Sequence, residues 1–280
     1  MPTLFLIPLL YLVGHLFVNI IVRILPIFEY KNIELISTLL TFILFIVCLP
    51  SWIRLRWKRN NYFKALGLSY LHRKDLIIDF SKGFVWSVCL ILVVLIPLSL
   101  SPWINSFGTI NLGIFLNAIL LCFGVGFAEE LIFRGWLWGE LNLILGNRLG
   151  VIFQALIYSL VHIRLDLNFI DLISLLFGLF LLGLVLAVRR TLDKGSLSGC
   201  IGLHGGLVGI WFCINSGLVG FSENTPTLLV GPGGITPNPL GGLLAIFSLL
   251  TLLYFYRVAL ASAGLPSSGA LKASCKGDAP

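Results

Sequence analysis

Gly126-Phe-Ala-Glu-Glu-Leu-Ile-Phe-Arg-Gly135 decides how this chain is read. Two adjacent carboxylates, Glu129 and Glu130, and one guanidinium, Arg134, interrupt a predominantly apolar run from Leu112 to Leu145. On insertion scales a charged side chain at the centre of a membrane helix costs about 2.5–3.5 kcal/mol. Three such groups within six residues therefore do not face lipid. On a helix, Glu130 and Arg134 are four apart, so they share a face and can pair. Glu129 is rotated from Glu130 by about 100° and points elsewhere. The pattern reads as one structural ion pair plus one carboxylate left for another task.

Composition frames that motif. Of 280 residues, 58% are hydrophobic and 11% are charged, against about a quarter charged in soluble globular proteins. This predicts an all-α fold, a polytopic membrane helical bundle with no room for a soluble catalytic domain. Eight apolar runs approach the roughly 20 residues a spanning helix needs. They lie at about 4–22, 35–52, 83–103, from 112 through the glutamate motif, and at 149–162, 170–188, 197–214 and 240–256. The count is thus about eight transmembrane helices. Met1-Pro2-Thr3 carries no positive charge, so the first run reads as a retained helix rather than a signal peptide. Its His15 and Asn19 read as hydrogen-bonding groups between helices.

Within residues 62–80 the mixture of apolar and charged residues suits a helix lying in the membrane interface. Pro97 and Pro102 mark a kink or an end. Gly135-Trp-Leu-Trp-Gly-Glu140 reads as interfacial or re-entrant. A fifth helix rising from Arg148 would then carry His162 well away from the level of Glu129. Gly231-Pro-Gly-Gly-Ile-Thr-Pro-Asn-Pro239 is a turn-dense connector.

The net charge is +7, and the excess is local. From Arg54 to Lys74 there are seven cations and no acid. A basic loop between spans marks the cytoplasmic side, so the partner it implies is membrane lipid, not nucleic acid. Arg148, the Arg189–Lys194 turn, and Lys272 and Lys276 fall on the same side of an even number of spans. That puts both termini in the cytoplasm. The six cysteines form no CxxC spacing. Five lie in apolar runs as small hydrophobes, so neither a disulfide nor a thiolate metal site is expected. No two halves share broken helices, which leaves a transporter as the weakest reading.

Two histidines complete the chemistry: His162, ending one apolar run, and His204, opening Leu203-His204-Gly205-Gly206 in another. One intramembrane histidine alone is usually a hydrogen-bonded core residue. Two of them with an unpaired glutamate are the residue types that bind zinc or activate water. Glu129 can act as base. His162 and His204 can hold a metal, or hold the water and stabilise an oxyanion. Gly205 and Gly206 would let a substrate backbone or another helix come close. Phe133 and Tyr158 read as packing residues.

Glu-Glu-x-x-x-Arg, then aromatic-x-x-x-His, then a third motif opening with His resembles the CAAX protease and bacteriocin-processing (CPBP, or Abi) family. These intramembrane metalloproteases include the CAAX prenyl proteases. The resemblance spans roughly Glu129 to Val208. It implies Glu129 as the water-activating base, Glu130 and Arg134 as its supporting pair, His162 as a water- or metal-holding residue, and His204 as an oxyanion donor or ligand. A zinc ion on Glu129, His162 and His204 and metal-independent hydrolysis are both open under it. The implied layout is N-terminal transmembrane helices with the basic loop at 1–105, a catalytic core at 106–260 and a disordered tail at 261–280. The implied function is an intramembrane endopeptidase acting on a membrane-associated peptide or prenylated CaaX protein. Two positions depart from the family pattern. The aromatic is Tyr158 where Phe is usual. Val208 stands where the third motif has Asn or Asp, and Val cannot donate to an oxyanion. Asn215 lies eleven residues beyond His204, about 16 Å along a helix, and cannot replace that donor. Val208 motivates the alternative of a non-catalytic membrane scaffold or chaperone on the same fold.

Overall fold

A computed structural model of the protein describes residues 3–24, 33–69, 73–234 and 236–262. The expected tail, with Cys275, Lys272 and Lys276, lies outside the described residues beyond Ser262. The described residues form two compact units, Met1–Ala65 and Leu66–Pro280.

In the first unit, helices α1 (Thr3–Ile24) and α2 (Ile33–Trp52) pack on each other. Buried Ser37, Thr41, Phe45, Leu49 and Ile53 recur every four residues, and so do Gly14, Val18 and Val22 on α1. Rows at this spacing form the ridges that seat in a neighbouring helix's grooves. A Cβ on Gly14 would stand 3.0 Å from Thr41 Oγ1, so the backbones approach closely there. His15 Nδ1 lies 3.4 Å from Ser37 Oγ across the pair, the interhelical bond expected of it. Asn19 instead donates to the His15 carbonyl of its own helix at 2.8 Å. The chain leaves α2 through a π turn, Ile53–Trp57, into the basic loop.

The second unit opens its helical core with α3 (Arg73–Ser99). Residues 73–80 are the first turns of this long helix, which corrects the expectation of a single interfacial helix over 62–80; Tyr62–Leu66 is a separate short helical segment. The Phe80 carbonyl packs so close to Gly202 that no Cβ fits between them, which anchors that end of α3 to another helix. The helix stops two residues after Pro97, as proline punctuation suggests.

Asn111 caps α4 (Leu112–Glu129) by accepting from the Ile114 amide at 2.8 Å. The helix then continues without a break through π turns at Glu130–Leu137 into α5 (Trp138–Leu160). Gly135–Glu140 is therefore part of a continuous helix, with Trp136, Trp138 and Glu140 buried in protein. The reversal comes at Gly146, with φ 76° and ψ 168° inside α5, a conformation that suits glycine. In one straight helix Tyr158 would lie about 36 Å beyond Arg134. Instead the Arg134 guanidinium carbon is 4.1 Å from the Tyr158 ring centroid. Glu129 lies 17 residues before the turn and His162 16 after it, about 25 Å and 24 Å of helix. The two residues expected at different depths are thus level.

After α6 (Phe169–Leu192) and α7 (Ser198–Cys213), a short strand β2 (Val219–Phe221) pairs antiparallel with β1 (Ile104–Phe107). This ribbon is an addition to the all-α expectation. It closes over Ile91, Val94, Leu98 and Ile214 at the ends of α3 and α7. The last described helix is α8 (Leu243–Ser262). Among the described residues, six helices are long and apolar enough to cross a membrane. Leu112–Leu160 counts once among them although it reverses at Gly146, and Leu243–Ala259 is shorter. No disulfide links Cys48, Cys89, Cys122, Cys200 and Cys213, which are all free.

Helix α7 is packed between α3 and α4 by its glycines. A Cβ on Gly202 or Gly206 would meet Phe80 or Ser87 of α3; one on Gly205 or Gly209 would meet the carbonyls of Cys122 or Ala118 on α4. Small residues at such spacing let membrane helices touch backbone to backbone. Gly205→Ala is expected to destabilise the protein by about 1–3 kcal/mol, because a backbone carbonyl cannot rotate aside. A lower thermal midpoint in detergent would show it, and an unchanged midpoint would contradict this account of the interface.

Candidate active site

Five side chains from three segments meet beside this glycine seam. Glu129 ends α4, Glu130 and Arg134 sit in the π turns, His162 follows α5, and His204 is on α7. All five were singled out in the sequence, and the structure brings them together.

Arg134 Nη1 donates to Glu130 Oε1 at 2.9 Å, with both side chains 0% exposed. In the π turns the Trp138 amide reaches back five residues to the Phe133 carbonyl. The neighbouring Arg134 carbonyl accepts from buried Arg190 Nη1, while Arg190 Nε donates to the Gly195 carbonyl at 2.9 Å. The Arg190 guanidinium also stands 5.3 Å from the Trp138 ring centroid. Insertions of π geometry are rare in helices and occur frequently at functional sites. Here one supports the ion pair.

His204 Nδ1 lies 2.8 Å from the same Glu130 Oε1. An ionised carboxylate only accepts, so this nitrogen carries the hydrogen and donates it. His162 Nδ1 lies 2.8 Å from the Tyr158 carbonyl, which likewise makes it the donor. Each imidazole therefore turns its Nε2 toward Glu129. Glu129 Oε2 is 3.7 Å from His162 Nε2 and 3.7 Å from His204 Nε2. That oxygen is buried and has no hydrogen-bond partner. The Glu129 and His162 side chains are 25% and 34% exposed, whereas His204 is 4% exposed. One edge of the cluster is thus open and the other closed.

Tyr158 lies at the closed edge. Its ring stacks under Arg134 and meets Phe133 edge-on at 5.1 Å, so the packing expected of both aromatics is present. Its hydroxyl does more: Oη lies 3.3 Å from His204 Nε2. The signal in the sequence was the Tyr in place of the usual Phe. The glycines beside His204 admit helices, Gly205 against α4 and Gly206 against α3. Asn215 donates to the Pro237 carbonyl at 3.4 Å, in the connector rather than in this cluster.

A resident zinc would need nitrogen donors at about 2.0–2.1 Å around one point. Among the described residues no group of three or more His, Cys, Asp or Glu side chains is arranged to hold a metal ion. His204 Nε2 is moreover within reach of the Tyr158 hydroxyl. Glu129, His162 and His204 in this arrangement do not fit a metal.

Comparison with known families gives two matches. Residues 111–210 match the family described as type II CAAX prenyl endopeptidase Rce1-like, which contains all five side chains. The three motifs read from the sequence, from Glu129 to Val208, all lie within this matched segment. Residues 1–61 match a domain of unknown function. No curated protein and no solved structure matches.

Proposed function

We propose that this protein is an intramembrane endopeptidase that hydrolyses a peptide bond of a membrane-associated substrate, with a prenylated CaaX tail as the first candidate. The observation that carries the reading is the buried Glu129 Oε2, without a hydrogen-bond partner and 3.7 Å from two imidazole nitrogens. A water donating one hydrogen to Glu129 and the other to His162 Nε2 presents its lone pairs to a scissile carbonyl. Glu129 takes a proton as the oxygen bonds to the carbonyl carbon. It returns that proton to the nitrogen as the C–N bond breaks, leaving a carboxylic acid and an amine. The open edge admits an extended peptide, and the buried pair behind it holds Glu130 and His204 in place. The same reading sets Arg54–Arg59 and the Arg189–Lys194 turn, and with them both termini, on the cytoplasmic side, by their excess of cations.

The test is cleavage of a farnesylated CaaX peptide and of unprenylated membrane-anchored peptides by purified protein, with products identified by mass. Cleavage at a defined bond supports the proposal. Val208→Asn is expected to raise the rate, since one oxyanion donor is worth about 10²–10³-fold. Activity in Val208→Asn alone would favour the scaffold. No cleavage by either protein on any of these peptides would overturn the proposal.

A further inference from the structure

We infer that Tyr158 is a positioning residue whose hydroxyl, with Glu130, ties both ring nitrogens of His204. His204 is thereby held with its hydrogen on Nδ1 and an acceptor at Nε2, beside the pair of Glu129 and His162. The inference deepens the proposed peptidase reading by giving the tyrosine hydroxyl, at a position where the family pattern has Phe, a role in orienting His204.

Two observations carry it. First, His204 is satisfied at both ends: Nδ1 is 2.8 Å from Glu130 Oε1, and Nε2 is 3.3 Å from Tyr158 Oη. With the ring hydrogen committed to the carboxylate, Nε2 is an acceptor and the phenol is its donor. His162 has only its Nδ1 committed, to a backbone carbonyl. Second, exposure divides the same way. Tyr158 and His204 are 1% and 4% exposed, while the Glu129 and His162 side chains are 25% and 34% exposed. Substrate and water reach the second pair.

The experiment is nitrogen-15 NMR of detergent-solubilised protein labelled at histidine. The chain has four histidines, so single replacements of His15, His72 and His162 by Gln assign the signals. His204 is expected to show a protonated Nδ1 and a hydrogen-bonded, unprotonated Nε2. Tyr158→Phe keeps the ring that packs against Phe133 and Arg134 and removes only the hydroxyl. It is expected to move the His204 Nε2 signal and leave that of His162 unchanged. A wild-type His204 with hydrogen on Nε2, or an Nε2 signal unmoved by Tyr158→Phe, would overturn the inference. This readout needs no substrate, so it stands or falls apart from the peptidase reading. With a cleavable peptide, Tyr158→Phe is expected to lower kcat by about 10–100-fold, as loss of a partner that orients a functional histidine does, and to leave KM unchanged. A merely structural role would move the thermal midpoint and not the His204 signal.

Discussion

Glu129→Gln is expected to lower kcat by about 10²–10⁴-fold with KM nearly unchanged, the range for removing a positioned general base. Gln preserves the shape of the side chain and the partial exposure of its site while removing the ability to take a proton. The protein should remain folded, because Glu129 Oε2 has no hydrogen-bond partner to lose. That separates Glu129 from its neighbour. Glu130 is fully buried and shared by Arg134 and His204, so changing it disturbs the fold and the chemistry together. A steady-state assay on the peptide that wild type cleaves, with thermal midpoints of both proteins, distinguishes the two effects. Retention of activity within a fewfold of wild type would remove Glu129 from the role of base and require another proton acceptor.

The ion pair and the free carboxylate were legible because helical spacing is local information: i,i+4 partners meet whatever the rest of the chain does. That held even though π turns begin at Glu130, since the pair spans a single turn. The level of His162 was not legible. It depends on how far the helix that carries the glutamates continues, and Gly146-Asn147-Arg148 marks the reversal only if the tryptophan segment before it is read as part of that helix. Placing the turn ten residues early, at the tryptophans, shifts a helix by about 15 Å and separates residues that in fact face each other. The ribbon of β1 and β2 was hidden for another reason. Its strands are only 4 and 3 residues long and pair across more than a hundred residues, too short for a period-two pattern to register. Tyr158 was visible as a residue type, yet its hydroxyl acquires meaning only through α7, which brings His204 to it. The glycines of α7 announced a close approach, and the structure supplies the partner: helices, not a substrate.

Arg134→Met is expected to destabilise the protein by about 3–5 kcal/mol, the cost of breaking a buried pair and leaving one charge behind. Neither partner is exposed, so solvent does not soften the loss. The carboxylate left over would retain only the His204 ring as a polar partner, and the Tyr158 ring would lose the guanidinium stacked on it. Glu130→Met combined with Arg134→Met is expected to be less damaging than Arg134→Met alone, since removing both charges removes the uncompensated one. It should still fall below wild type, because His204 Nδ1 then has a buried hydrogen and no acceptor, worth about 1–3 kcal/mol. Thermal midpoints in one detergent would rank the three proteins as wild type, then the double variant, then Arg134→Met. If the double variant were the least stable, the pair would be contributing more as a matched unit than its isolated charge costs. If Arg134→Met were as stable as wild type, the π turns would be held by Arg190 and packing alone, and the ion pair would not be what stabilises them.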